Sequence, residues 1–146
     1  MNAVDTNILL YSLDASEPAK RVVAQELLLE LRTASLPTIL PWQVLCEATA
    51  QLRYWTTKRK ISKETATNYI QTFRSIFPIR TPRAVVFDYA LELFERFSLS
   101  HWDSLLVAAC SDVGVTKLHS EDMGDGTEIG GVRIINPFAT GFRSDE

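Results

Sequence analysis

No stretch of this 146-residue chain approaches the ~18 consecutive apolar residues of a membrane span, so no membrane segment is expected. The N-terminus lacks the basic-then-apolar order of a secretory signal and already carries an acid at Asp5. Cysteine is scarce. Cys46 and Cys110 both fall in apolar segments that read as helices, so buried free thiols in a reducing cytoplasm are expected rather than a disulfide. Histidine is scarce too, and a paired-histidine phosphodiesterase would have to use both His101 and His119. Positive charge is not in surplus: 15 Lys and Arg against 18 Asp and Glu leave a net charge of −3. That excludes a protein that coats nucleic acid by charge alone, but not an enzyme whose acids recruit a cation that then meets a phosphate. Internal repeats, low-complexity tracts and linkers are also missing.

What is present suits one domain with a real core: 46% hydrophobic and 23% charged residues over this length. The expected domain is 1–138, with a polar tail over 139–146 that frays. Short apolar runs alternate with longer helical periodicities, which predicts an α/β architecture on a parallel sheet. The strands are read at Asn2–Asp5, Pro37–Leu40, Phe77–Ile79, Val115–Leu118 and Val132–Ile135. A short helix runs to about Leu13, and Ala19–Thr33 carries Val22, Val23, Leu27, Leu28 and Leu31 at helical spacing. Pro41 suits the first turn of a helix reaching about Lys58. Ser62 caps the next helix, Thr81-Pro82 opens one through about Phe97, and Ser100 caps one running to Val113.

Four acids stand in or beside apolar segments, where an unpartnered charge is costly. Asp5 ends the first strand. It can cap the following helix, or point into the crevice where α/β sheets bind ligands. Asp103 stands three residues after Ser100, at capping-box spacing, yet shares a helix face with Leu106, Val107 and Cys110. Glu47 lies mid-helix at the margin of a stripe of Leu45, Ala48, Leu52 and Trp55, where a solvated Glu is the commonest outcome. Asp122 follows a strand by a few residues within Ser120-Glu121-Asp122-Met123-Gly124-Asp125-Gly126, and Glu121 or Asp125 could take its place. A calcium loop starting at Glu121 fails, because its third and twelfth positions are Met123 and Val132.

In this order the acids give the chain a resemblance to the PIN-domain family, and specifically to its VapC-like ribonuclease toxins. It is carried by Val4-Asp5-Thr6-Asn7, Val44-Leu45-Cys46-Glu47, Leu99 through Ala109 around Asp103, Leu118-His119-Ser120-Glu121-Asp122-Met123, and the closing Gly131 to Phe138. Each piece is weak alone, and the ordered set over Asn2–Phe138 is specific. The resemblance implies a three-layer α/β/α sandwich on a five-stranded parallel sheet. It makes Asp5, Glu47, Asp103 and Asp122 the acidic quartet, with Thr6 and Ser120 as supporting hydroxyls. The residues between 14 and 97 depart most from any signature, so substrate and partner choice are not read from them.

Two carboxylates ~4 Å apart repel by roughly 4 kcal/mol at an effective dielectric of 20, so a gathered quartet calls for a cation. Magnesium, with manganese as a substitute, prefers oxygen ligands and keeps several waters, one of which can attack phosphorus. Asp5 and Asp103 are expected to be the principal metal ligands. Glu47 and Asp122 then complete the shell through water or at a second metal position. The family implies products with a 5′-phosphate and a 3′-hydroxyl, a small VapB-like antitoxin whose tail lies near the acids, and a homodimer. Arg53, Lys58, Arg59, Lys60 and Lys63 form a basic stretch that either guides RNA phosphates or is simply a solvated helix end. Tyr54 and Trp55 nearby could stack bases, though core or interface positions are their commoner use. The competing readings are a PIN-type nuclease of RNA processing or structured DNA, and a catalytically silent PIN assembly module.

Overall fold

The computed structural model describes residues 1–139, so the tail expected to fray lies, from residue 140 on, outside the described residues. The elements are β1 (Asn2–Val4), α1 (Thr6–Tyr11), α2 (Pro18–Thr33), β2 (Thr38–Pro41), α3 (Trp42–Thr57), α4 (Lys63–Ile76), β3 (Ile79–Arg80), α5 (Val85–Phe97), α6 (His101–Asp112), β4 (Lys117–His119), β5 (Glu128–Ile129) and β6 (Val132–Ile135). The strands form one sheet in the order β3-β2-β1-β4-β6-β5. Five of them pair in parallel, as the periodicity predicts, and β5 adds a sixth, antiparallel to β6. The local cause is Gly130-Gly131, both at positive φ, which closes a two-residue hairpin between Ile129 and Val132.

The chain steps outward from β1 to β2 to β3, then returns past β1 to β4. Right-handed crossovers put α1–α4 on one face of such a sheet and α5–α6 on the other. The order of steps therefore reverses between β1 and β4, which opens a crevice at the carboxyl ends of those strands. The main core is a continuous cluster that includes Val4, Ile8, Leu40, Val44, Leu93, Leu106, Val107, Leu118 and Ile134. Leu52, Trp55 and Ala66 form a smaller cluster between α3 and α4, so Trp55 is a core residue.

Ser62 and Ser100 cap α4 and α6 as expected, each hydroxyl accepting the backbone N–H three residues on. Thr81-Pro82 does not open α5. That helix begins at Val85 behind Ala84, with no side-chain cap. The Arg83 guanidinium pairs with the Asp112 carboxylate at the end of α6. Pro41 closes β2 and stands at the N-cap of α3 rather than within its first turn. Cys110 is buried, whereas Cys46 is exposed, because it lies off the Val44, Ala48, Leu52, Trp55 stripe that α3 turns inward.

Candidate active site

The crevice at the switch point is where the acids meet. Asp5 follows β1 directly and is only 6% exposed. Its backbone N–H donates to the His119 carbonyl at 2.9 Å, extending the ladder by one residue and fixing the carboxylate above the sheet. Oδ1 accepts the Thr6 N–H at 2.7 Å, so Asp5 does cap α1, and Oδ2 accepts the Ser120 hydroxyl at 2.7 Å. Both bonds favour the charged form, yet burial dominates and pushes the carboxyl up to about 6, with Asp122 and Glu47 adding repulsion. Cap and site are one residue.

Asp103 enters from the first turn of α6, where its N–H donates to the Ser100 hydroxyl at 3.1 Å. Burial raises its carboxyl above the ordinary range against the opposing Ser100 hydroxyl, and Asp122 and Glu47 raise it further. Glu47 is exposed on α3 and accepts the Thr6 hydroxyl at 3.1 Å and the Gln43 amide at 2.9 Å. Asp122, also exposed, accepts the Asn7 amide at 3.2 Å, and its own N–H donates to the Ser120 hydroxyl at 3.1 Å. Asp5 and Asp103 therefore feel the same two neighbours. The four acids face one another from β1, α3, α6 and the turn after β4.

The turn's other acids point elsewhere. Glu121 accepts the Lys20 ammonium and the Tyr11 hydroxyl, both at 2.8 Å, and Asp125 accepts the Asn136 N–H. Burial pushes Glu121 upward, but the Lys20 and Tyr11 bonds outweigh it and hold the carboxyl below the ordinary range. His119 is buried with both ring nitrogens unbonded among the described residues, and burial lowers it to about 4. A neutral imidazole at that depth is no proton donor near neutral pH. His101 lies at the surface, edge-on to Trp102.

Among the described residues, none of the quartet is bonded to a basic side chain. Nor do three carboxylate, thiol or imidazole groups gather tightly enough there to chelate one ion. The acids thus offer hard oxygen donors set too far apart to strip one ion, which fits a cation that retains much of its water. Asn7 and Gln43 were not singled out from the sequence. Both carried a signal: Gln43 lies one helical turn before Glu47, and Asn7 belongs to the Asp-Thr-Asn opening. The basic stretch lies apart from the acids: Arg53, Lys58, Arg59, Lys60 and Lys63 are all exposed, towards the far end of α3 and the start of α4.

A parallel α/β sheet with carboxylates brought together at its switch point defines a class of α/β proteins that bind ligands in that crevice. Within that class the family model for the PIN domain matches residues 3–124, and the chain belongs to the PIN-domain family. Solved structures share the fold at low identity. VapC20 of Mycobacterium tuberculosis, described as a Sarcin-Ricin loop cleaving toxin, has a TM-score of 0.62 at 16% identity, covering 84% of this chain and 92% of its own. VapBC2 from Rickettsia felis, bound to a fragment of its promoter DNA, gives 0.65 at 17%, covering 91% and 96%. A toxin–antitoxin complex from Klebsiella pneumoniae gives 0.66 at 16%, covering 94% and 98%. No curated protein sequence matches significantly.

Proposed function

We propose that the chain is a magnesium-dependent endoribonuclease, with manganese as a substitute, acting as the toxin of a toxin–antitoxin pair. The observation that carries the proposal is the meeting of Asp5, Glu47, Asp103 and Asp122 at the switch point with, among the described residues, no cationic side chain bonded to any of them. Asp5 and Asp103, the two acids raised by burial, are the principal ligands. Glu47 and Asp122, held by Thr6, Gln43 and Asn7, complete the shell through water or at a second position. A divalent ion there would supply an acidified water and offset charge developing on the phosphoryl oxygens. The chain's own part is orientation. Ser120 holds Asp5 with its hydroxyl and the Asp122 backbone through the same oxygen, so one side chain sets the spacing of two acids. No side-chain nucleophile is required.

The basic stretch is assigned to RNA phosphates beyond the scissile one. Lys58 follows Glu47 by eleven residues, roughly 16 Å along the helix axis, a span that several nucleotides cover. The R. felis and K. pneumoniae neighbours are toxin–antitoxin assemblies, which supports a VapB-like antitoxin as partner. Phe87, Leu91 and Phe94 stand exposed on α5 and support a homodimer through that helix. Among the described residues no helix is long and apolar enough to cross a membrane, and the cytoplasm is the proposed compartment.

The test is cleavage of a total RNA or tRNA pool by purified protein with magnesium, with chelator, and with Asp103→Asn. Cleavage is expected in the first condition alone, and equal activity in all three would sink the proposal. A silent assembly module would cleave in none.

A further inference from the structure

We propose that the groove between the first turns of α3 and α6 is a nucleobase subsite, holding a base of single-stranded RNA next to the scissile phosphate. The inference rests on the endoribonuclease reading and deepens it. The groove encloses about 270 Å³ and is walled by Trp42, Gln43, Cys46 and Glu47 of α3, Trp102 and Leu105 of α6, and the Pro41 and Pro82 rings. Trp42 and Trp102 are 51% and 62% exposed at their helix starts, two large indoles left in water beside the acids. Neither is explained by the fold, since neither reaches the core.

Continuity with the acids sets the occupant. Glu47 belongs to both the groove wall and the quartet. Gln43 joins the two walls, its amide donating to Glu47 Oε1 at 2.9 Å and to the Trp102 carbonyl at 3.1 Å. Both contacts use the amide nitrogen, which leaves Gln43 Oε1 as an acceptor for a base N–H. A phosphate would be repelled by Glu47, whereas an uncharged base is not. The volume falls just below the roughly 300–1,000 Å³ of drug-sized sites and has room for one flat ring. Indole faces hold bases of any sequence, and losing one stacking partner costs on the order of tenfold in affinity. A base seated there leaves its neighbouring phosphate outside the groove, on the side where the proposed metal ion would offset the charge of the acids.

Cys46 offers a direct probe, because it is exposed on the groove while Cys110 is buried. In Asp103→Asn protein with magnesium, the rate of Cys46 alkylation by a maleimide is measured alone and with RNA oligomers of A, C, G or U. At least one oligomer is expected to slow alkylation severalfold, and an abasic oligomer of equal length is not. Trp102→Ala should remove the protection and, in the otherwise unaltered enzyme, lower kcat/KM about tenfold through KM, while Trp102→Phe keeps most of both. Protection by none of the four oligomers, equal protection by the abasic strand, or protection that survives both Trp102→Ala and Trp42→Ala would overturn the assignment. Alkylation that slows with protein concentration in the absence of RNA would give the groove to a second copy and also overturn it. Failure of the parent reading looks different: no RNA is cleaved by the unaltered enzyme, whatever the labelling shows.

Discussion

Asp5 is the residue at which stability and function pull in opposite directions. Its carboxyl is raised from the ordinary 3.8 to about 6, chiefly by burial. The folded state therefore binds the proton more tightly than the unfolded chain does. Stability falls as pH rises from about 4 to 6, and the full penalty stands above that window. Two pKa units correspond to roughly 2–3 kcal/mol. Asp5→Asn should accordingly stabilise the metal-free protein by roughly 2–3 kcal/mol at pH 7 and by nothing near pH 4. Urea denaturation in chelator at the two pH values checks this, and an equal gain at both would refute it. Ser120→Ala removes a bond that lowers the Asp5 carboxyl, so the acid limb of the cleavage–pH profile should move to higher pH. The quartet was legible because charged residues beside apolar runs need an excuse. Asp122 could not be separated from Glu121 and Asp125 by spacing. In the structure Lys20 and Tyr11, far away in sequence, engage Glu121, and the Asn136 N–H engages Asp125.

At the scale of elements, the site depends on where α6 begins. Ser100 caps that helix and also bonds the backbone of Asp103, whereas Ser62 caps α4 far from the acids. Each cap replaced by alanine should cost about 1 kcal/mol of stability. Only Ser100→Ala should also lower the cleavage rate, and paired denaturation and kinetic measurements separate the two effects. Equal rates in both variants would show that the start of α6 does not position Asp103. Caps and periodicities were legible here because they act within a turn or two of the chain. The start of α5 was not, since the helix begins behind Ala84 with no side-chain cap and leaves the Thr81-Pro82 signal unused. The β5–β6 hairpin had a visible Gly-Gly signal, but two-residue strands are too short to show alternation.

At the scale of the molecule, the five parallel strands and their reversal between β1 and β4 bring together acids that lie more than a hundred residues apart. That convergence could be inferred from the sequence only through the family resemblance, because no local pattern encodes strand order. The apolar face of α5 belongs to the same scale. For the proposed homodimer, Phe94→Glu should lower the mass in light scattering to that of a monomer, and an unchanged mass would refute a dimer through α5. The central claim is that the quartet serves a metal-bound water in phosphodiester hydrolysis, and the chemistry of the product ends tests it most directly. Water attack leaves a 5′-phosphate and a 3′-hydroxyl, which is the predicted result of mapping the cleaved RNA termini. A 2′,3′-cyclic phosphate with a 5′-hydroxyl would mean that the ribose 2′-oxygen is the nucleophile, and would contradict the account.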